Sequence, residues 1–216
     1  MTDKTREIAV LTGDIVGSTA LGPEKLERAF EALKDCAEMQ AEWMNEPLHF
    51  TRHRGDGWQV ALAEPKYALR SALMFRATLK ALGNGFDSYI GIADGPISTP
   101  IGSDLNKETA DVFAASGQEL EFIHNGKSMD RMHFTRSHPC EPVALLCNLI
   151  VEGWTPTQAD TMRIYLNLVA GGRSLSSIAD ELGKSRQTIT KTLNAAGYAH
   201  VNEALLLIEQ KDATHV

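Results

Sequence analysis

Two acidic residues carry the clearest chemistry in this chain. Asp14 ends the apolar run of IAVLTGDIVGST (8–19), and Asp56 lies between Gly55 and Gly57 in RHRGDGWQVAL (52–62). An acidic residue at a strand end and another in a neighbouring hairpin can offer two carboxylates to one Mg²⁺- or Mn²⁺-nucleotide complex. Backbone N–H groups of residues 15–18 then stand where a turn can cradle a triphosphate. Gly55 and Gly57 allow a close backbone approach that a side chain forbids. Taken singly, Asp14 reads as a turn cap and Asp56-Gly57 as a hairpin turn; taken jointly, they read as a site.

The elements that must position them follow from periodicity and punctuation. Residues 7–13 read as a buried strand. Pro23 opens an amphipathic helix to about Asn45, with Leu26, Phe30, Leu33, Ala37 and Met44 near helical spacing. Residues 49–54 and 58–62 read as two strands about the Asp-Gly hairpin. Pro65 starts a second helix reaching about Leu82, and 86–93 reads as a strand closed by Asp94-Gly95-Pro96. A polar loop, a short helix at 109–120 and an edge strand at 131–135 follow. The order β-α-β-β-α-β, within residues 7–95, is that of a ferredoxin-like split unit. In that topology the first strand and the hairpin lie side by side.

Three motifs resemble class III nucleotidyl cyclase catalytic domains. GDIVGST (13–19) is similar to their first metal motif, Arg54-Gly-Asp-Gly57 to their second, and GIADGPI (91–97) to a third marker. The SatD-type group of small cyclase-like proteins, which can carry a C-terminal helix-turn-helix, shows a similar start, and Phe113–Leu120 resembles its short helix. The resemblance covers roughly residues 7–122. It implies Mg²⁺ (or Mn²⁺) held by Asp14, Ile15 and Asp56. It also implies nucleotide contacts from Val16, Gly17, Ser18, Thr19, Arg52, Arg54 and Gly55, and a site built across a homodimer. Active cyclases carry an Asn and, four residues later, an Arg on a helix; here these positions are Phe113 and Gly117. Losing that cation removes charge stabilisation worth several kcal/mol in phosphoryl transfer, so binding is better supported than turnover.

The tail reads differently. Thr155-Pro156 and Gln158 form a helix start of the capping-box kind, and that helix reaches about Val169 before Gly171-Gly172. Ser174 and Ser185 cap two further helices, and a fourth spans about 200–210. Ile178, Ala179, Leu182, Gly183, Ile189 and Leu193 fall where a helix-turn-helix needs them. Its exposed second-helix face would be Ser185, Arg186, Gln187, Thr190, Lys191 and Asn194. From Lys184 to Gly197 no residue is acidic. Such a face suits base edges and phosphates of a DNA duplex; an ordinary helical bundle or a protein-docking unit is the plainer reading.

Composition narrows the classes. Net charge is −7 over 216 residues, with 15 Lys+Arg and 21 Asp+Glu in residues 1–149 against 6 and 7 afterwards. An acidic chain is a poor non-specific polyanion binder, so any DNA contact must be local. Three cysteines (Cys36, Cys140, Cys147) without CxxC spacing suit a reducing cytoplasm. No HExxH cluster exists, and His49, His53 and His133 read as surface or strand positions. No apolar run is long enough for a bilayer, and no signal peptide opens the chain.

The expectation is an α+β protein. A ferredoxin-like, nucleotidyl cyclase-type domain occupies 1–136, a linker with two prolines 137–144, and an all-α helix-turn-helix domain 145–216. The function expected is a cytoplasmic DNA-binding transcriptional regulator whose N-terminal domain binds a Mg-nucleotide (a nucleoside triphosphate or a cyclic nucleotide) or serves for dimerisation. The alternative is an active cyclase or nucleotide-processing phosphotransferase regulated by the tail. A third reading is a dimerisation scaffold with no ligand.

Overall fold

The strand β1, Arg6–Ile15, sends alternate side chains to two covered faces. The structure, a computed structural model, describes residues 5–53, 55–128, 130–135, 138–168 and 174–211. After β1 come α1 (Ser18–Leu21), α2 (Pro23–Met44), β2 (Thr51–Arg52), β3 (Gly57–Leu62) and α3 (Ala68–Ala81). Then follow β4 (Ser88–Ile97), α4 (Asp111–His124), β5 (Met132–Phe134) and α5 (Glu141–Glu152). The chain continues through α6 (Pro156–Leu166), α7 (Leu175–Glu181), α8 (Arg186–Ala195) and α9 (Tyr198–Lys211). The result is an α+β arrangement around a five-stranded sheet of order β2-β3-β1-β4-β5. β1 pairs antiparallel with β3 and β4, β2 antiparallel with β3, and β5 parallel with β4.

The two faces of β1 enter two cores. Ala9, Leu11 and Ile15 join Val60, Leu62, Ile90 and Ile92 beneath α2 and α3. Ile8 and Val10 join Ala61, Ala93, Leu105, Val112 and Phe113 beneath α4. Two glycines permit these layers to close. A Cβ on Gly13 would meet the Trp58 indole at 2.2 Å, and one on Gly91 would meet the Ser116 carbonyl oxygen at 2.2 Å. Trp58 in turn donates from Nε1 to Ser88 Oγ at 3.0 Å, and Ser88 Oγ donates to the Asp14 carbonyl at 2.8 Å. The polar loop before α4 is anchored, since buried Leu105 donates its N–H to Thr51 Oγ1 at 3.0 Å.

Several boundaries differ from expectation for local reasons. The strand expected at 49–54 pairs only at Thr51–Arg52, because His49 takes φ 50 and is not extended. The Asp94-Gly95-Pro96 stop does not end β4, where Gly95 lies opposite Ile8 and Pro96 opposite Glu7. β5 reaches only Ile90–Ile92, so at Pro96 the outer side of β4 asks for no N–H. The short helix expected at 109–120 continues to His124. The expected linker 137–144 contains the start of α5, with Pro142 in its first turn. His133 is buried in β5, its Nδ1 at 2.8 Å from Glu119 Oε2 and its Nε2 at 3.1 Å from Glu141 Oε1.

The C-terminal helices share the core under α2 and α3: Ala144, Met162, Ile189 and Leu205 belong to the same apolar cluster as Leu33 and Leu73. Buried polar clasps reinforce it. Arg76 binds Asp87 through Nε and Nη2 at 2.9 Å each and reaches Asn148 on α5 at 2.5 Å. Arg131 adds a 2.7 Å contact to the same carboxylate. Burial pushes the Asp87 carboxyl up, but the Arg76 guanidinium outweighs it and holds it below the ordinary value. Trp43 Nε1 donates to Asn167 Oδ1 at 2.9 Å, tying α2 to the end of α6.

Within the tail, Thr155 and Gln158 form a reciprocal capping box, and Ser174 and Ser185 cap α7 and α8 through their hydroxyls. Gly183, at φ 60, turns α7 into α8, and Ile178, Ala179, Ile189 and Leu193 are buried between them and their neighbours. α6 ends at Leu166; the expected stop at Val169, Gly171 and Gly172 lies outside the described residues. Among the described residues no helix is long and apolar enough to cross a membrane.

Candidate functional site

Register brings the two acidic residues together. Asp14 lies opposite Gly57 on β3, and the Ile15 N–H donates to the Asp56 carbonyl at 3.2 Å, which fixes the hairpin tip against the end of β1. Asp14 shares a face with Thr12, whose hydroxyl meets Ser116 Oγ at 2.7 Å and receives Gln59 Nε2 at 2.8 Å. The site therefore sits on the sheet face under α4.

Its electrostatics are those of two crowded carboxylates. Asp14 Oδ1 is buried and no hydrogen-bond donor faces it. Burial, and then contact with Asp56, push the Asp14 carboxyl up to about 7. For Asp56, burial also pushes upward, but the Ser18 hydroxyl and the Asp14 side chain outweigh it and leave its carboxyl below the ordinary range. Ser18 Oγ donates directly to Asp56 Oδ2. Two adjacent carboxylates resist ionising together, and a proton or a cation between them relieves the repulsion. Among the described residues no Lys or Arg nitrogen reaches either carboxylate, and the one basic contact is His124 Nε2, 3.3 Å from Asp14 Oδ2.

A divalent ion fits this donor set in a particular way. Among the described residues no three His, Cys, Asp or Glu side chains converge suitably for a metal. Mg²⁺ commonly takes one or two carboxylates, with the rest from substrate phosphates and water. Asp14 and Asp56 would hold such an ion, which when bound supplies positive charge to neighbouring phosphate oxygens.

The remaining expected residues divide. The Ile15 side chain is buried in the core, leaving only its backbone carbonyl for a ligand. The cradle expected from the N–H groups of residues 15–18 is shorter than anticipated, because Ile15 donates to Asp56 and Val16 to the Asp87 carbonyl at 3.0 Å. Gly17 and Thr19 are exposed, Ser18 half-buried, and Gly17 takes φ 61 as the chain turns into α1. Gly55, at φ 80, is exposed in the hairpin. Arg52 is engaged elsewhere: its Nη1 pairs with Glu27 Oε2 at 2.8 Å and its guanidinium covers the Phe30 ring at 3.8 Å. Arg54 lies outside the described residues. Phe113 is buried in the core under α4, while the space beside Gly117 is open. His124, absent from the expected set, has no local motif; only the fold brings it to Asp14.

No family model and no curated protein matches the chain. Among solved structures it is similar to two structures of a bacterial light-regulated adenylyl cyclase, at 13% and 18% identity and TM-score 0.43 each. These similarities cover 61% and 62% of this chain but only 43% and 44% of theirs. It is also similar to the active GGEEF domain of a diguanylate cyclase from Vibrio cholerae, at 14% identity and TM-score 0.44, covering 62% of this chain and 85% of that one. Overlaps this low transfer no residue roles.

On the tail, Ser185, Arg186, Gln187, Thr190, Lys191 and Asn194 are all exposed on or beside α8. The buried residues of α8 are Ile189 and Leu193.

Proposed function

We propose that this chain is a nucleotide-responsive DNA-binding regulator. Asp14 and Asp56 together take up a divalent cation with a nucleoside polyphosphate, and α8 reads duplex DNA. The observation that carries the first half is the buried, donor-less Asp14 Oδ1 beside a second carboxylate. A proton or a cation would relieve that crowding, and Mg²⁺ held by one or two carboxylates commonly takes substrate phosphates as further ligands. Supporting the ferredoxin-like, cyclase-type assignment is the order β4-β1-β3-β2, antiparallel throughout.

The DNA half rests on one specific observation: six polar or basic side chains exposed along α8 in a stretch without a single carboxylate. A homodimer would set two such helices on successive half-sites. Exposed Leu145, Leu146 and Leu149 on α5 are apolar side chains that an association of copies would cover.

Calorimetry with ATP and GTP in Mg²⁺ or Mn²⁺ tests the reading, with Asp14→Asn as the control. Saturable heat lost in that variant is the expected result; no heat with any nucleotide would leave a scaffold. Release of pyrophosphate, abolished by Asp14→Ala, would make the protein an enzyme of the cyclase or phosphotransferase kind instead. Buried Phe113 and side-chain-free Gly117 favour binding over that turnover.

A further inference from the structure

We propose that His124 is a phosphate-binding residue of the metal–nucleotide site; this rests on the reading of Asp14 and Asp56 given above. His124 is the only Lys, Arg or His in the fourteen residues of α4. The helix is locked over the sheet by the close crossing at Gly91 and by the Ser116–Thr12 hydroxyl contact. That crossing delivers the imidazole to the acidic end of β1. Its ring packs edge-on against Tyr89 with centroids 5.0 Å apart, and Tyr89 is the residue opposite Asp14 on β4. Nε2 stands 3.3 Å from Asp14 Oδ2 while 41% of the side chain remains exposed. The ring is thus held by Tyr89 while much of the side chain stays open to solvent.

Asp14 Oδ1 has no hydrogen-bond partner, and Oδ2 lies 3.3 Å from His124 Nε2. Asp14 and Asp56 would hold a cation in place of the His124 contact, and the His124 ring nitrogen would then stand beside any anion bound with it. A phosphate oxygen is the acceptor chemistry that matches, because it is anionic and would keep lone pairs for an N–H donor beside a bound cation. On α4, where Gly117 offers no side chain, this donor comes seven residues later from the helix's end.

The role predicts effects of opposite sign, which a merely structural histidine would not give. Mn²⁺ binding alone, followed by electron paramagnetic resonance, should be unchanged or tighter in His124→Ala, since a competitor for Asp14 is gone. Binding of Mn²⁺-ATP and Mn²⁺-GTP, followed by calorimetry on the full chain, should weaken about tenfold or more, the scale of a charge-assisted hydrogen bond. His124→Lys should recover most of that loss, and thermal melts of both variants should confirm that they fold. Equal weakening of Mn²⁺ and Mn²⁺-nucleotide would overturn the proposal in favour of a structural role, as would unchanged nucleotide affinity. Wild-type protein that binds Mn²⁺ but neither nucleotide would overturn the proposal together with the nucleotide reading beneath it.

Discussion

Arg70 on α3 and Glu209 on α9 form a two-pronged ion pair, Nε to Oε1 at 2.6 Å and Nη2 to Oε2 at 2.9 Å, with side-chain exposures of 2% and 8%. The residues are 139 positions apart, and their contact fastens the last helix onto the sheet's helical layer. Glu209→Ala strands the guanidinium without its counter-charge, a change costing about 3–5 kcal/mol. Replacing both residues with leucine and methionine should cost far less. Urea denaturation of the single and double variants measures the difference; a mild single-variant effect would mean that the pair is hydrated.

Asp14→Asn should abolish metal–nucleotide binding while making the metal-free protein more stable above neutral pH. The Asp14 carboxyl rises from 3.8 to about 7 on folding, so the folded state holds a proton that the unfolded chain has released. Its contribution is fully present below pH 3.8 and is lost as pH rises through about 7. Thermal melts at pH 5 and pH 8 with a chelator should show the variant's advantage growing with pH. A constant difference would contradict the carboxylate contact.

His138 and Asp94, 3.5 Å apart, form a second titrating pair away from that site. The Asp94 carboxylate, followed by other contacts, lifts the His138 imidazole to about 9. Its stabilisation is complete below pH 6.5 and fades as pH rises through 9. The Asp94 carboxyl, lowered first by His138, contributes above 3.8 and loses that contribution in acid. Asp94 is about a third exposed, so the discounted effect is about 1 kcal/mol, or roughly 2–4 °C in Tm. His138→Gln should flatten the melting temperature between pH 6.5 and 9.

Gly91→Ala tests the crossing of α4. Its methyl group would lie 2.2 Å from the Ser116 carbonyl oxygen and 2.4 Å from the Leu120 nitrogen, both backbone atoms that cannot swing aside. The helix must lift, at a cost of about 1–3 kcal/mol or more. The same lift should withdraw His124 from Asp14 and reduce nucleotide affinity. Normal stability together with normal affinity would show that the crossing is looser than described.

On α8, Arg186→Ala should relax preference at one base pair by about 1–3 kcal/mol, whereas Lys191→Ala should weaken all sequences alike and reduce the salt slope by about 1. Electrophoretic shifts on a selected site at several salt concentrations separate the two. An operator-binding protein indifferent to both changes would place its DNA contacts on another element.

What the sequence disclosed and what it hid follow a physical division. The approach of Asp56 to Asp14 was legible because an Asp-Gly turn and strand alternation are local signals that fix register. The capped helices of the tail were legible for the same reason: Thr155, Ser174 and Ser185 bond within three residues. α5 was hidden because Pro142 in its first turn reads equally as a loop breaker. His124 beside Asp14, and His133 between Glu119 and Glu141, depend on how α4 crosses the sheet. Arg52 reads as available to a ligand, but Glu27 and Phe30, brought alongside by α2, occupy it.

The indole packed against Gly13 makes the molecule its own optical probe. Trp58 is linked through a single hydroxyl to the Asp14 backbone, so a shift at that strand tip changes the polarity felt by a buried fluorophore. Emission from that ring should move on loading with metal and nucleotide, giving a label-free titration. Trp58→Phe would identify which of the chain's three tryptophans reports it.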